Sequence, residues 1–158
     1  MEGAQVTGIS RNPQRVKSLL QAGDVQIVSD IATVRGSFDL ILESVGGESL
    51  TAALRLVGRD GIVAMFGNSS GQDSRVAFQQ FSGRAHARLY AFFVYESGEP
   101  PTFGQDLGVM AQEIGAGQLH PQIGMEANWR DPLGALTALR ERAMEGKAVL
   151  LIRLGLSG

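Results

Sequence analysis

The chain has 158 residues, with 16 acidic and 14 basic side chains, a net charge of -2 and no cysteine. This length supports one domain with a proper core, and the balanced charge, without a basic run, argues against a nucleic-acid surface. Without cysteine there is no disulfide or thiolate zinc site, His86 and His120 are too isolated to predict another metal centre, and no apolar run approaches the length of a membrane span.

The first predicted elements form a strand, helix, strand unit. Ala4–Ile9 has the composition of a strand, and Asn12 with Pro13 provides a helix cap and first helical residue. The helix continues through the apolar stripe Val16, Leu19 and Leu20 and ends at Gly23, after which Val25–Val28 is a second short strand. This alternation predicts a parallel sheet. Met1–Gln5 lacks the features of a signal peptide, and we expect a cytoplasmic protein.

The end of the first strand carries a signal about a possible ligand. Dinucleotide folds place an acidic residue there for the ribose of NAD, whereas a 2'-phosphate requires positive charge. Ser10 and Arg11 fit the phosphate, and Arg15 lies about one helical turn further on. The alternative is that both arginines are ordinary solvated charges beside a capped helix.

The central stretch predicts a second strand, helix, strand unit. Its apolar runs are Phe38–Leu42 and Ile62–Phe66, and runs without a polar face favour strands buried on both sides. Between them, helical spacing relates four apolar residues, with Gly58 as the helix stop; they are Leu50, Ala53, Leu54 and Val57.

Small, turn-forming residues follow each of these two runs, at Glu43–Gly47 and Gly67–Gly71. Ligands of open parallel sheets bind outside the carboxyl ends of the strands, where small residues allow a flat ring to approach the backbone. The alternative is that these residues only turn the chain. Glu43 is expected to be an exposed, hydrogen-bonded carboxylate.

The rest of the chain predicts further α/β structure. Gln72–Phe81 is expected to be a loop with a short helix, and Arg88–Tyr95 a strand at the sheet edge. That edge would pair with a second copy, or else be covered by the chain's own helices. A helix from Thr102 would bury Phe103, Leu107, Met110 and Ile114, and a helix from Asp131 and Pro132 to Gly146 would bury Leu133, Leu136, Leu139 and Ala143. Gln122–Met125 and Lys147–Leu154 are predicted strands.

Four of these blocks, in this order and spacing, resemble the medium-chain dehydrogenase/reductase superfamily, and most of all its zinc-independent quinone oxidoreductase branch. The blocks are ESVGG at Glu43–Gly47, FGNSSG at Phe66–Gly71, LYAFFV at Leu89–Val94 and GKAVL at Gly146–Leu150. The resemblance implies a Rossmann-like, doubly wound, mostly parallel α/β fold. It also implies a cofactor-binding domain over residues 1–118, and a helix and strand over 119–158 that pack on a catalytic domain.

The resemblance further implies an NADPH-dependent oxidoreductase that transfers hydride to a quinone or conjugated enone. Ser10, Arg11 and Arg15 would hold the 2'-phosphate, and Val45 and Gly46 would lie beside the cofactor. The nicotinamide half would be lined by Phe66, Gly67, Asn68 and Ser69, with backbone contacts from Phe92, Phe93 and Val94. A homodimer would form through strand 88–94. No catalytic residue is assigned.

The sequence departs from this family at its start. Only three residues precede Ala4, and no G-x-G-x-x-G occurs, so we expect this chain to lack the first strand and glycine-rich turn of a dinucleotide fold and the family's catalytic domain. The sheet would then have a gap at its centre. The two flanking strands would close on each other, a second copy would fill the gap, or the rest of the enzyme would be a separate or lost segment. The strand Ala148–Arg153 would also need another partner. One alternative is therefore a non-enzymatic assembly module. A weaker one is a methyltransferase-like fold, which would want an acidic residue where Ser10 stands.

Overall fold

The structure, a computed structural model, describes residues 3–12, 16, 25–97 and 102–152. It comprises two compact units, residues 1–99 and 100–158. The domain boundary predicted between residues 118 and 119 stays a prediction. The helix predicted from Asn12 and Pro13 to Gly23 lies outside the described residues except at its start and at Val16, and so does the break at Glu99–Pro101.

The described part of the first unit contains two parallel sheets and one well-packed helix. Its elements are β1 (Val6–Ile9), β2 (Val25–Val28), β3 (Phe38–Glu43), α1 (Gly47–Ala53), β4 (Val57–Met65), β5 (Arg88–Ala91) and the short helix α2 (Val94–Ser97). Single turns of 3-10 helix occur at Ile31–Thr33 and Phe78–Phe81. The second unit contains α3 (Thr102–Gly115), β6 (Ile123–Asn128), α4 (Leu133–Arg140) and β7 (Lys147–Leu151).

The strand pairing agrees with the predicted Rossmann-like α/β fold, whereas the gap at the centre of the sheet stays a prediction. Every pair of neighbouring strands in the described residues is parallel, in the orders β1-β2, β3-β4-β5 and β6-β7. A dinucleotide sheet has the order 3-2-1-4-5-6. The pair β1-β2 corresponds to one side of that order and the sheet β3-β4-β5 to the other, and the described residues include no strand between them. Within the described residues β1 and β3 do not close on each other.

The core of the first unit lies between α1 and one face of β3-β4-β5. Its buried members are the four residues predicted from helical spacing, which are Leu50, Ala53, Leu54 and Val57, together with Val63. The predicted helix was too long, however. Residues 54–56 form a turn, and Val57 and Gly58 already belong to β4. Val57 is β-branched and pairs with Phe38, so it serves the core from a strand.

The expectation that β3 is buried on both sides is wrong. Ile41 packs against the core, but its neighbours Leu40 and Leu42 point to the opposite face and are 57% and 68% exposed. Registered partners of parallel strands share a face, and Leu42 is in register with Ala64 and then Tyr90. This opposite face of the sheet, which carries Leu40, Leu42 and Tyr90, is called the open face below.

Three other expectations about extent or burial also fail. The strand from Arg88 ends at Ala91 rather than Tyr95, because the chain turns at Phe92 and Phe93 into α2. In α3 no residue is buried, and Leu107 of the predicted stripe is 66% exposed. In α4 the buried residue is Ala135, while Leu133, Leu136 and Leu139 are exposed, and the helix ends at Arg140, before Ala143.

The remaining strand predictions hold with shifted ends. The strand β2 has the predicted bounds, and β1 begins two residues later than expected, at Val6. In the second unit β6 extends from Ile123 to Asn128, past the predicted end at Met125. It pairs with β7, which ends at Leu151. Arg153 and Leu154 lie outside the described residues.

Candidate functional site

The loops that follow β3 and β4 form one hydrogen-bonded cluster at the carboxyl edge of the sheet, called the loop cluster below (residues 43–47 and 66–71). Phe66 N–H donates to the Glu43 carbonyl at 2.8 Å, Ser69 N–H to the Ser44 carbonyl at 3.0 Å, and Ser70 N–H to the Val45 carbonyl at 2.9 Å. The first of these bonds follows directly on the last strand pair, and the other two join the loops beyond it. The two sequence blocks that were predicted to lie side by side are therefore in contact.

Gly46 is the point of closest approach within the loop cluster. Its φ of 75° and ψ of -166° belong to a region that residues with a Cβ rarely adopt. A Cβ at this position would lie 2.1 Å from Oδ1 of Asn68, so only glycine lets the Asn68 amide lie over the backbone. Ser70 Oγ donates to the same Asn68 oxygen at 3.2 Å. The Asn68 side chain is thus held from two sides.

Glu43 organises the first half of the loop cluster, and here the sequence expectation of an exposed carboxylate is wrong. The residue is only 4% exposed. Its Oε1 accepts from Val45 N–H at 3.0 Å and from Ser49 Oγ at 2.8 Å, and its Oε2 accepts from Gly46 N–H at 3.0 Å. The signal in the sequence was an acidic residue at the end of an apolar run, three residues before the first of two glycines and six residues before a serine.

Hydrogen bonds join Thr51 of α1 to Arg75 and Gln80 in the long connection between β4 and β5. Neither Thr51 nor Gln80 was identified from the sequence. The Thr51 hydroxyl lies 3.1 Å from the Gly47 carbonyl and 3.2 Å from the Arg75 carbonyl, and it accepts from Arg75 N–H at 3.1 Å. Gln80 Nε2 donates to the Thr51 carbonyl at 2.7 Å. Hydroxyl and amide residues in a polar connection gave no distinguishing pattern.

The structure brings together most of the predicted site residues. Val45, Gly46, Phe66, Gly67, Asn68 and Ser69 all belong to the loop cluster. Phe92 joins them through its N–H, which donates to the Met65 carbonyl at 2.8 Å, so the end of β5 lies at the same edge. Phe93 and Val94 follow it, with Phe93 accepting from Glu96 N–H and Val94 beginning α2.

The predicted phosphate-binding residues lie at the end of the other sheet. Ser10 N–H donates to the Val28 carbonyl at 2.9 Å, so Ser10 follows directly on the β1-β2 pair, and its hydroxyl bonds to the backbone of Asn12. Arg11 is exposed beside it. Arg15 lies outside the described residues.

The loop cluster combines features that suit a flat, polar ligand. Val45, Phe66 and Asn68 are exposed there, whereas the glycines beneath them are strained or tightly packed. An apolar surface beside a fixed amide and a close backbone can stack against a ring and satisfy its polar substituents.

No three His, Asp or Glu side chains in the described part of the chain could together hold a metal ion. Nor does any helix there have the length and apolarity that crossing a bilayer requires.

Comparison with known proteins gives one family and a set of related folds. The family described as zinc-binding dehydrogenase matches residues 14–150. Mycoketide-CoA synthase of Mycobacterium tuberculosis is 34% identical over 121 residues, which is 77% of this chain and 3% of that protein.

Among solved structures, a 2-haloacrylate reductase matches 96% of this chain and 51% of its own, at TM-score 0.78 and 18% identity. A mycobacterial quinone oxidoreductase matches 94% of this chain and 49% of its own, at TM-score 0.78 and 22% identity. Escherichia coli quinone oxidoreductase, solved with NADPH, matches 95% of this chain and 50% of its own, at TM-score 0.74 and 19% identity. The chain therefore spans about half the length of these structures and a small part of the synthase.

Proposed function

The chain belongs to the zinc-binding dehydrogenase family, and from that premise we propose that it is the cofactor-binding part of an NADPH-dependent oxidoreductase. The proposed reaction is hydride transfer to a quinone or a conjugated enone. The nicotinamide supplies the hydride, and the protein supplies binding and orientation. Quinone oxidoreductases among the structural neighbours, including one solved with NADPH, support this choice of cofactor and substrate class.

The observation that carries the proposal is the loop cluster with Asn68 over Gly46. It lies at the carboxyl ends of β3 and β4, where open α/β sheets bind their ligands. The exposed Phe66 offers an apolar surface beside a fixed amide. These residues fit the nicotinamide half of the cofactor. The backbone at Phe92 and Phe93 would contact the carboxamide.

The end of β1 supports the choice of NADPH over NADH. Ser10, Arg11 and Asn12 contribute no carboxylate that would repel a 2'-phosphate, and Arg11 is exposed. An arginine binds phosphate through charge-assisted hydrogen bonds. The usual binding site for the pyrophosphate has no counterpart here, because no glycine-rich turn of the G-x-G-x-x-G type occurs in this sequence. We therefore expect the chain as given to bind NADPH weakly.

Zinc, which the family name implies, does not fit the residues present. The chain has no cysteine, and within the described ranges no cluster of three His, Asp or Glu could serve as ligands. The proposed chemistry assigns no step to a metal.

A fluorescence titration with NADPH and NADH tests the cofactor assignment. We expect tighter binding of NADPH, and we expect Arg11→Ala to weaken NADPH binding about tenfold while leaving NADH binding unchanged. Arg59→Ala is the matched control, because Arg59 is an exposed arginine toward the amino-terminal end of β4. Equal binding of both dinucleotides would show that Ser10 and Arg11 do not recognise a phosphate.

A second candidate function is an assembly module. The observation in its favour is β5, which forms an edge of its sheet and carries the exposed Leu89 and Tyr90, followed by Phe92. A homodimer through strand 88–94 is compatible with either function. Light scattering after size exclusion tests it, with Tyr90→Lys as the disrupting change. A monomeric wild-type chain would exclude the assembly module, and a stable dimer without dinucleotide affinity would favour it over the oxidoreductase.

A further inference from the structure

Glu43 is a buried acidic residue whose hydrogen bonds all lie within the loop cluster or at its border. A buried carboxylate is costly unless hydrogen bonds replace its hydration. Here two backbone N–H groups and one hydroxyl do so, at 2.8 to 3.0 Å. Val45 and Gly46 are consecutive, so the carboxylate fixes the direction of two successive peptide groups. The backbone conformation of the first loop is thereby defined by one side chain.

The second loop is attached to the peptide groups that Glu43 orients. When Val45 N–H and Gly46 N–H turn toward the carboxylate, the carbonyls of Ser44 and Val45 are left to accept from Ser69 and Ser70 at 3.0 and 2.9 Å. The Asn68 amide also lies directly against the backbone of Gly46. A continuous path of contacts therefore leads from the buried carboxylate to an exposed side chain at the candidate site.

We infer that Glu43 is a positioning residue that holds the Asn68 amide in place by fixing the backbone of Ser44–Gly46. The meaning of this placement for a nicotinamide rests on the proposed function, whereas the coupling of the two loops does not. The carboxylate is required rather than an amide of the same shape. Glutamine has one oxygen and one NH2 group, so in either orientation its NH2 faces an N–H or O–H donor.

Amide hydrogen exchange measured by NMR tests the coupling, and it needs no cofactor. In Glu43→Gln we expect exchange to accelerate about tenfold or more at Val45 and Gly46, as for the loss of a charge-assisted hydrogen bond, and also at Ser69 and Ser70. The amide of Val63 in the core should change no more than global stability requires. Glu48→Gln is the matched control, because Glu48 is an exposed acidic residue in the first turn of α1.

Ser49→Ala provides a milder variant in case Glu43→Gln folds poorly. It removes one of the three bonds to Glu43 and should give the same pattern of exchange with a smaller amplitude. Faster exchange at Val45 and Gly46 with unchanged Ser69 and Ser70 would overturn the inference, because Glu43 would then hold only its own loop. Equal acceleration at every amide, Val63 included, would also overturn it, by showing a general contribution to stability.

The titration with NADPH separates this inference from the proposed function. If Glu43 positions the site, the dissociation constant for NADPH should rise about tenfold in Glu43→Gln and remain unchanged in Glu48→Gln. If the wild-type chain binds no dinucleotide, the proposed function fails, while the exchange pattern still decides the coupling. If NADPH binds equally to wild type and Glu43→Gln, the positioning role is wrong although the proposed function stands.

Discussion

The two faces of the β3-β4-β5 sheet both carry aliphatic side chains, but one face is buried and the other is exposed. On the face toward α1, Val63 is fully buried, and the turn that follows the helix contributes the fully buried Leu54. On the open face Leu40 and Leu42 are more than half exposed, although they alternate with core residues in the same strand. An apolar run therefore predicts that a strand can be buried on either face, and the position of the following helix determines which face is buried.

The largest expected effect is at the covered face. Leu54→Ala removes a fully buried side chain from the core, at the turn that follows α1, and we expect the free energy of unfolding to fall by about 3 kcal/mol. Urea denaturation measures it. A loss below about 1 kcal/mol would mean that this core is loosely packed, and the contrast between the faces would disappear.

Gly46→Ala tests whether the order of the covered face continues into the loop cluster. The new Cβ would meet the Asn68 side chain and take a positive φ, so we expect a loss of about 2 kcal/mol and displaced Asn68 resonances in NMR spectra. Gly71→Ala is the control, because Gly71 has a φ of 65° but no atom within 4 Å of an added Cβ. Similar losses in both variants would leave only backbone strain as the cause.

Thr51→Val tests the polar support of α1. Valine keeps the shape but removes the hydroxyl that bonds to the backbone of Gly47 and Arg75, and we expect a loss of about 1 kcal/mol. Thr33→Val removes an exposed hydroxyl bond to the Asp30 carbonyl and should have a smaller effect. Equal losses of stability for Thr51→Val and Thr33→Val in thermal unfolding would show that burial of the Thr51 hydrogen bonds does not increase their contribution to stability.

The smallest expected effect on stability is at the open face. Leu42→Ala makes the same chemical change as Leu54→Ala, yet we expect a change in unfolding free energy within about 0.5 kcal/mol, because the side chain is 68% exposed. Binding of a hydrophobic dye should fall, since an exposed apolar group is removed. A loss comparable with that of Leu54→Ala would show that the open face is covered in solution, by a second copy or another segment.

The sequence predicted the fold well wherever local pattern and environment agreed. The bounds of β2 and the burial of Leu50, Ala53 and Leu54 follow from apolar spacing, and the contact of the two small-residue loops follows from the geometry of parallel strands. The end of the helix was misplaced because Val57 continues the apolar spacing but prefers a strand, where it pairs with Phe38. Propensity for the strand prevailed over periodicity.

Burial was predicted less well than secondary structure, for a physical reason. The stripe of α3 and the leucines of α4 have helical spacing, and both helices form, but exposure depends on what lies opposite the stripe. Glu43 shows the converse. Its burial depends on donors from Val45, Gly46 and Ser49 that only the folded loop assembles, so an isolated acidic residue in the sequence gave little indication of its role.

The exclusively parallel pairing of the described strands has a consequence for folding kinetics. A parallel pair cannot be closed by a tight hairpin, so each pairing requires an intervening crossover and its loop-closure entropy. High contact order slows folding, and we expect a refolding time in the millisecond to second range rather than microseconds. The nucleus should be the segment from Phe38 to Met65, because β3 and β4 pair there around α1 and the segment contains the buried core cluster.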